Sequence, residues 1–158
     1  MIVYHGSTEI IKNPDVVHSK KYLDFGRGFY ITTFENQAKK WAVRKGMRQK
    51  KTAIVNVYEL SEEWSGFRVL SFEKENEKWL DFVCACRKGQ SLNKEYDIAD
   101  DDVFKTVDMY FRGLWNKEKV LNELRYYKMN NQICIVKQEA LDCLLTFQKA
   151  YEVNSNGK

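Results

Sequence analysis

Residues 24–41, DFGRGFYITTFENQAKKW, constrain the fold more than any other stretch of the chain. Gly26 and Gly28 flank Arg27, and such a glycine pair lets backbone approach a ligand or another strand closely. The run Phe29-Tyr30-Ile31-Thr32-Thr33 is β-branched and aromatic over the length of a strand. Thr32 followed three residues later by Glu35 has the capping-box form, so a helix is expected to begin near Thr33 or Phe34. From there Phe34, Ala38, Trp41 and Ala42 share one face at helical spacing, and the helix should reach about Gly46. Tyr30 and Trp41 therefore fall on adjacent elements, with room for a flat group between them.

The rest of the chain reads as a mixture of short strands and helices. Strands are expected at 1–5, 52–60, 67–72, 96–98, 132–136 and 147–153. Helices are expected at 75–88, 101–112, 116–127 and 139–145. Residues 52–60, TAIVNVYEL, are apolar on both faces, as a central strand requires. In the 75–88 segment Trp79, Phe82, Val83 and Cys86 repeat at helical spacing, and Asp100-Asp101-Asp102 suits the positive end of a helix dipole. The elements do not alternate regularly, which points to an α+β domain rather than a doubly wound one. A length of 158 residues fits one domain, read as 1–153 with 154–158 as a frayed tail.

Charge and cysteine content exclude little but direct the reading. Twenty-six basic against twenty-two acidic residues give +4, which permits an acidic or nucleic-acid partner without arguing for one. No apolar run has membrane-spanning length and the N-terminus has no signal-peptide pattern, so a cytoplasmic protein is expected. Cys84, Cys86, Cys134 and Cys143 lack paired-ligand spacing and read as small core hydrophobes in a reducing compartment, with no metal site.

Three motifs stand apart from the core pattern: Tyr4-His5-Gly6-Ser7, the Gly28-Phe29-Tyr30 strand with Trp41 eleven residues on, and Asn131-Gln132-Ile133. Together they resemble the ADP-ribosyltransferase superfamily, in the branch shared by poly(ADP-ribose) polymerases and diphtheria-type toxins. That branch carries a histidine-glycine-serine/threonine at the end of its first strand and a glycine–x–tyrosine strand. A second aromatic follows eleven positions later, and a glutamate opens a late strand. FGRGFY is close to the family's FGKGIYF form. More narrowly, YHGS, DFGRGFYITT, QAKKWA, WLDFV, NNQI and ALDCLLTF resemble a small bacterial toxin-type group. That group was long described as a domain of unknown function and is often encoded beside a small antitoxin-like partner. The likeness runs over nearly the whole chain.

The resemblance implies a split, mostly antiparallel β-core with helices around an NAD cleft. It implies NAD-dependent mono-ADP-ribosyl transfer to a cellular protein or nucleic acid, as the toxin of a toxin–antitoxin or phage-defence pair with a cognate antitoxin. Such transfer breaks the nicotinamide–ribose bond through an oxocarbenium-like transition state, so the ring must be held flat and positive charge stabilised. By the resemblance His5, Tyr30 and Gln132 form the catalytic set, and His5, Gly6, Ser7, Arg27, Gly28, Tyr30, Ala38 and Trp41 bind NAD. Tyr30 and Trp41 would sandwich nicotinamide, each stacking pair contributing roughly 0.5–1.5 kcal/mol beyond area. The Gly6 backbone would bond the carboxamide, His5 the adenosine ribose hydroxyls, and Ser7 would assist. Lys20, Lys21 or Arg27 would offset pyrophosphate charge, with Arg27 alternatively facing solvent.

Two positions depart from the family pattern. Gln132 stands where the glutamate is expected, and Ala38 where a small polar residue often binds the carboxamide. Glutamine can accept the ribose 2′-hydroxyl but lacks the charge, a loss of about 1–2 kcal/mol or roughly a factor of 5–30 in rate. The alternatives are a catalytically degenerate NAD- or ADP-ribose-binding regulatory module, or an NAD glycohydrolase. A basic RNA-binding protein would need a motif this chain lacks.

Overall fold

The computed structural model describes residues 1–19, 22–72, 76–90, 96–101, 110–124 and 131–154. It is a mixed α+β structure with two sheets. In the first sheet β3 (Ala53–Leu60) lies between β1 (Ile2–Ser7) and β7 (Leu145–Val153), antiparallel to both. β3 is buried along most of its length, which is why its sequence is apolar without alternation. The second sheet has the order β2 (Phe29–Ile31), β6 (Gln132–Ile135), β5 (Ile98–Asp101), β4 (Val69–Phe72). Its pairs are antiparallel except β4 with β5, which is parallel.

The two sheets close on a shared core. Val3, Tyr58 and Leu60 of the first pack with Phe29, Ile31, Ile98, Ile133 and Ile135 of the second. Leu141 and Leu144 of a short helix, here α4 (Gln138–Leu144), cap this cluster. Each fully buried aliphatic side chain contributes about 1.5–3 kcal/mol of transfer free energy, so this layer dominates the fold. A smaller cluster joins Trp79, Leu80 and Val83 of α2 (Glu77–Arg87) to Val120 of α3 (Lys117–Leu124). Asn76 caps α2, accepting the Trp79 N–H at 3.0 Å.

The helix α1 (Glu35–Gln49) lies on the first sheet through Ala38, Ala42 and Gly46, small residues spaced four apart that bring backbone close to backbone. Gly6 completes this contact. A Cβ there would lie 2.7 Å from the Ala42 nitrogen and 2.9 Å from the Trp41 Cβ, and closer still to the Ala38 carbonyl oxygen. The missing Cβ at position 6 is thus required by helix packing, and Ala38 is fully buried beneath it.

Several expectations need correction. Phe34, without a side-chain cap, precedes α1. Thr32 Oγ1 accepts the Phe34 N–H at 3.1 Å and donates to Asn131 Oδ1 at 2.9 Å, while Glu35 accepts from Tyr151, so the capping box does not form. Asp100 and Asp101 end strand β5 opposite Ile133 and Gln132, so the helix expected from 101 does not begin at that residue, which ladder pairing with β6 holds in the sheet. Residues 102–109 of that expected helix, the ends 75 and 125–127 of its neighbours, and 155–158 of the tail lie outside the described residues. Cys84, Cys86 and Cys134 are buried as expected, but Cys143 is exposed on the outer side of α4. Among the described residues no helix is long and apolar enough to cross a membrane.

Candidate functional site

The two sheets touch at one point on their edges. Tyr4 exchanges both backbone hydrogen bonds with Thr32, at 2.8 and 3.0 Å, forming an isolated antiparallel bridge. The next pair of that ladder would be Gly6 with Tyr30, but it does not form. The Tyr30 carbonyl is taken by His5 Nδ1 at 2.7 Å. Strand pleating sends the N–H and C=O of Gly6 to the same edge as those of Tyr4. Beyond the bridge the sheets part, and that edge of Gly6 opens into a cavity of about 640 Å³. This is within the range of roughly 300–1,000 Å³ usual for small-ligand and cofactor sites.

His5 is defined by its partners. A carbonyl only accepts, so Nδ1 carries the proton and Nε2 presents a lone pair. Burial lowers its pKa to about 4, with the Tyr30 carbonyl opposing the shift and Lys45 adding to it, so the ring is neutral near pH 7. It stacks on Phe29 with centroids 4.5 Å apart and 23° between planes. Ser7, buried at the strand end, accepts from Lys45 Nζ at 3.2 Å.

Tyr30 lines the same cavity. Its hydroxyl donates to the Gly26 carbonyl at 2.6 Å and accepts the Phe25 N–H at 3.0 Å, which fastens the turn before β2. Gly26 sits at φ 72°, in the left-handed region open to glycine. Burial holds the phenol well above its ordinary pKa, so Tyr30 contributes a neutral ring whose hydroxyl is committed to backbone. Gly28 admits the close approach of β6: a Cβ would lie 2.8 Å from the Ile135 carbonyl oxygen and closer to Cys134 Sγ.

Gln132 opens β6 and also lines the cavity. Its Nε2 is buried and has no hydrogen-bond partner among the described residues. Such a group costs about 1–3 kcal/mol unless something supplies the missing partner. Next to it, Asn131 Oδ1 accepts from Thr32 Oγ1 and the Thr33 N–H, both at 2.9 Å, which ties the start of β6 to the β2–α1 junction.

Trp41 lines the cavity from α1, and with it come Arg44, Lys45 and Arg48. These four fall at i, i+3, i+4 and i+7, one face of a helix, and the three basic residues among them form a cationic wall. That spacing was visible in the sequence, yet sequence reasoning placed the cations at Lys20, Lys21 and Arg27. Lys20 and Lys21 lie outside the described residues. Arg27 is exposed and, like the buried Ala38, is not among the lining residues. His5, Gly6, Ser7, Gly28, Tyr30, Trp41 and Gln132 all are. Sequence reasoning also missed Asp15 and His18, cavity residues in the connection from β1 to β2.

This is therefore an α+β protein with a cation-walled cavity at the seam of two sheets. The chain belongs to the family described as "Protein of unknown function (DUF3990)", whose model matches residues 1–147. No curated protein matches it.

Proposed function

We propose that the cavity binds NAD and that the protein is a mono-ADP-ribosyltransferase of the toxin type, acting on a macromolecular acceptor and held in check by a cognate antitoxin. One observation carries the reading: seven residues from four separated stretches of sequence, His5, Gly6, Ser7, Gly28, Tyr30, Trp41 and Gln132, line one cavity. A set of core residues at those positions would have no reason to converge on an open space.

Each group suits a part of the dinucleotide. The N–H and C=O of Gly6, on the edge where the ladder stops, match the C=O and NH₂ of a carboxamide, and the rings of Tyr30 and Trp41 suit a flat pyridine. The neutral Nε2 of His5 suits a ribose hydroxyl, which donates. Arg44, Lys45 and Arg48 suit a pyrophosphate, so the cationic role moves from the glycine turn to α1. The unpartnered amide of Gln132 suits the nicotinamide ribose, whose 2′-hydroxyl can both donate and accept.

Trp41→Ala and Tyr30→Ala are expected to weaken NAD binding by about ten- to a hundredfold, the cost of removing one ring with its buried area. Both should lower nicotinamide release and relieve growth inhibition on expression. Tyr30→Phe keeps the ring and should retain binding. Wild-type binding and release in both alanine variants would remove the site. A second reading, an NAD-binding module without chemistry, is favoured by the uncharged Gln132. It predicts binding with no released nicotinamide and no label on any macromolecule.

A further inference from the structure

The connection between β1 and β2 contributes Asp15 and His18 to the cavity wall, and nothing in the binding scheme uses them. Asp15 Oδ2 lies 2.6 Å from His18 Nδ1. Its other oxygen accepts the backbone N–H groups of Val17 at 2.8 Å and His18 at 2.9 Å, so the carboxylate is fixed by three bonds. A carboxylate only accepts, so Nδ1 carries the imidazole proton and Nε2 is left with its lone pair. The His18 side chain is 89% exposed, so an incoming group can reach that nitrogen. The turn itself is anchored: the Gly28 N–H donates to Ser19 Oγ at 2.8 Å, beside the strand that carries Tyr30. A base whose ring is oriented by a fixed third group is the arrangement general-base catalysis needs.

We propose that His18, oriented by Asp15, is the general base that deprotonates the acceptor, and that the acceptor atom is accordingly a hydroxyl oxygen. The inference rests on the reading of the cavity as an ADP-ribosyl-transfer site. Gln132 cannot take a proton, and the Tyr30 hydroxyl is committed to backbone. In the transfer step the bond from the ribose anomeric carbon to nicotinamide breaks, its electron pair staying on the pyridine nitrogen to release neutral nicotinamide. A lone pair of the acceptor oxygen forms the new bond to that carbon, and the acceptor proton passes to His18 Nε2. The imidazolium, held by Asp15, then loses the proton to solvent. A carboxylate acceptor would need no such base.

The test uses the full chain, NAD labelled in its adenylate phosphate, and total protein and RNA of a cell extract as acceptor pool. His18→Ala is expected to lower label transfer about a hundredfold, the low end of general-base contributions, and to lower it more than nicotinamide release. Free imidazole should restore part of the lost transfer, and Asp15→Asn should show a smaller defect of the same kind. The label should survive neutral hydroxylamine, which cleaves an ester but not the glycosidic link to a hydroxyl. Wild-type transfer by His18→Ala, a depressed rate that imidazole does not raise, or a hydroxylamine-labile label would each overturn the inference. Wild-type protein that neither binds NAD nor releases nicotinamide would instead overturn the reading of the cavity, and the inference with it.

Discussion

At the end of β6 the chain reaches Val136 and Lys137, beside a saturated ion cluster. The Val136 N–H donates to the Asp97 carbonyl at 2.9 Å. The Asp97 carboxylate accepts the Arg68 backbone N–H at 2.9 Å, Arg68 Nη2 at 3.1 Å and Lys137 Nζ at 2.6 Å. At the start of the same strand, Gln132 has a buried amide nitrogen without a partner among the described residues, and Gly6 lines the same cavity. Both clusters are polar and both shift a titratable group. The Arg68 guanidinium, then Lys137, hold the Asp97 carboxyl below the usual range, whereas burial, with a smaller push from Lys45, drives His5 down. A shifted pKa therefore does not by itself mark function; what separates the two ends is whether the hydrogen-bonding groups are used up.

The contrast is open to direct attack at its saturated end. Asp97→Ala removes a carboxylate whose side chain is only 8% exposed and leaves its backbone partner unpaired. The partners are about half exposed, so the expected loss is about 2–3 kcal/mol, read as a lower urea midpoint with NAD binding intact in the folded protein. Because the folded carboxyl is depressed, its stabilisation is present above about pH 4 and is lost as pH falls below that. A variant that loses NAD binding in proportion to stability would show the two ends to be one unit.

The open end should fail first in acid. The pKa of His5 is about 4 in the folded chain against an unfolded value of 6.5, so the unfolded state takes its proton first as pH falls. Its stabilisation is complete above about pH 6.5 and declines between there and about pH 4, by about 2 kcal/mol once its partly open edge is allowed for. Unfolding midpoints at pH 7 and pH 5 should differ in wild type and agree more closely in His5→Phe. An equal slope in both proteins would assign the acid response elsewhere.

How much of this was legible in the sequence depends on the range of the interaction. The strand at 52–60 declares its burial on both faces, and the β2–α1 unit follows from a local pattern of glycine, β-branched and aromatic residues. Asp101 falls in strand β5 because its pairing with β6 is long-range, which a local dipole argument does not see. Gly6 looked permissive for a ligand. Its Cβ space is filled by α1, and the opening on its other side is created by a side chain one residue away taking the Tyr30 carbonyl. Arg44, Lys45 and Arg48 keep helical register with Trp41, but Lys39 and Lys40 surround them with the same charge, and only the fold separates cavity from solvent. The Asp15–His18 spacing is that of an ordinary turn, and acquires meaning only from the space it borders.

The smallest expected effect sharpens the comparison most. Gln132→Glu places at the open end the kind of charge that Asp97 supplies at the other, but with no cation bonded to it among the described residues. If the amide faces the ribose, the carboxylate should raise nicotinamide release about 5–30-fold, because charge-assisted hydrogen bonds contribute about 1–2 kcal/mol more than neutral ones. The gain comes with a cost in the ligand-free protein, where a partly buried carboxylate loses water and gains only the field of the α1 cations. Faster release with a lower urea midpoint, the midpoint recovering as NAD is added, would place position 132 at the reacting ribose. Unchanged release with a lower midpoint would place Gln132 among the structural groups, like Asp97, and leave the transfer site without its third wall.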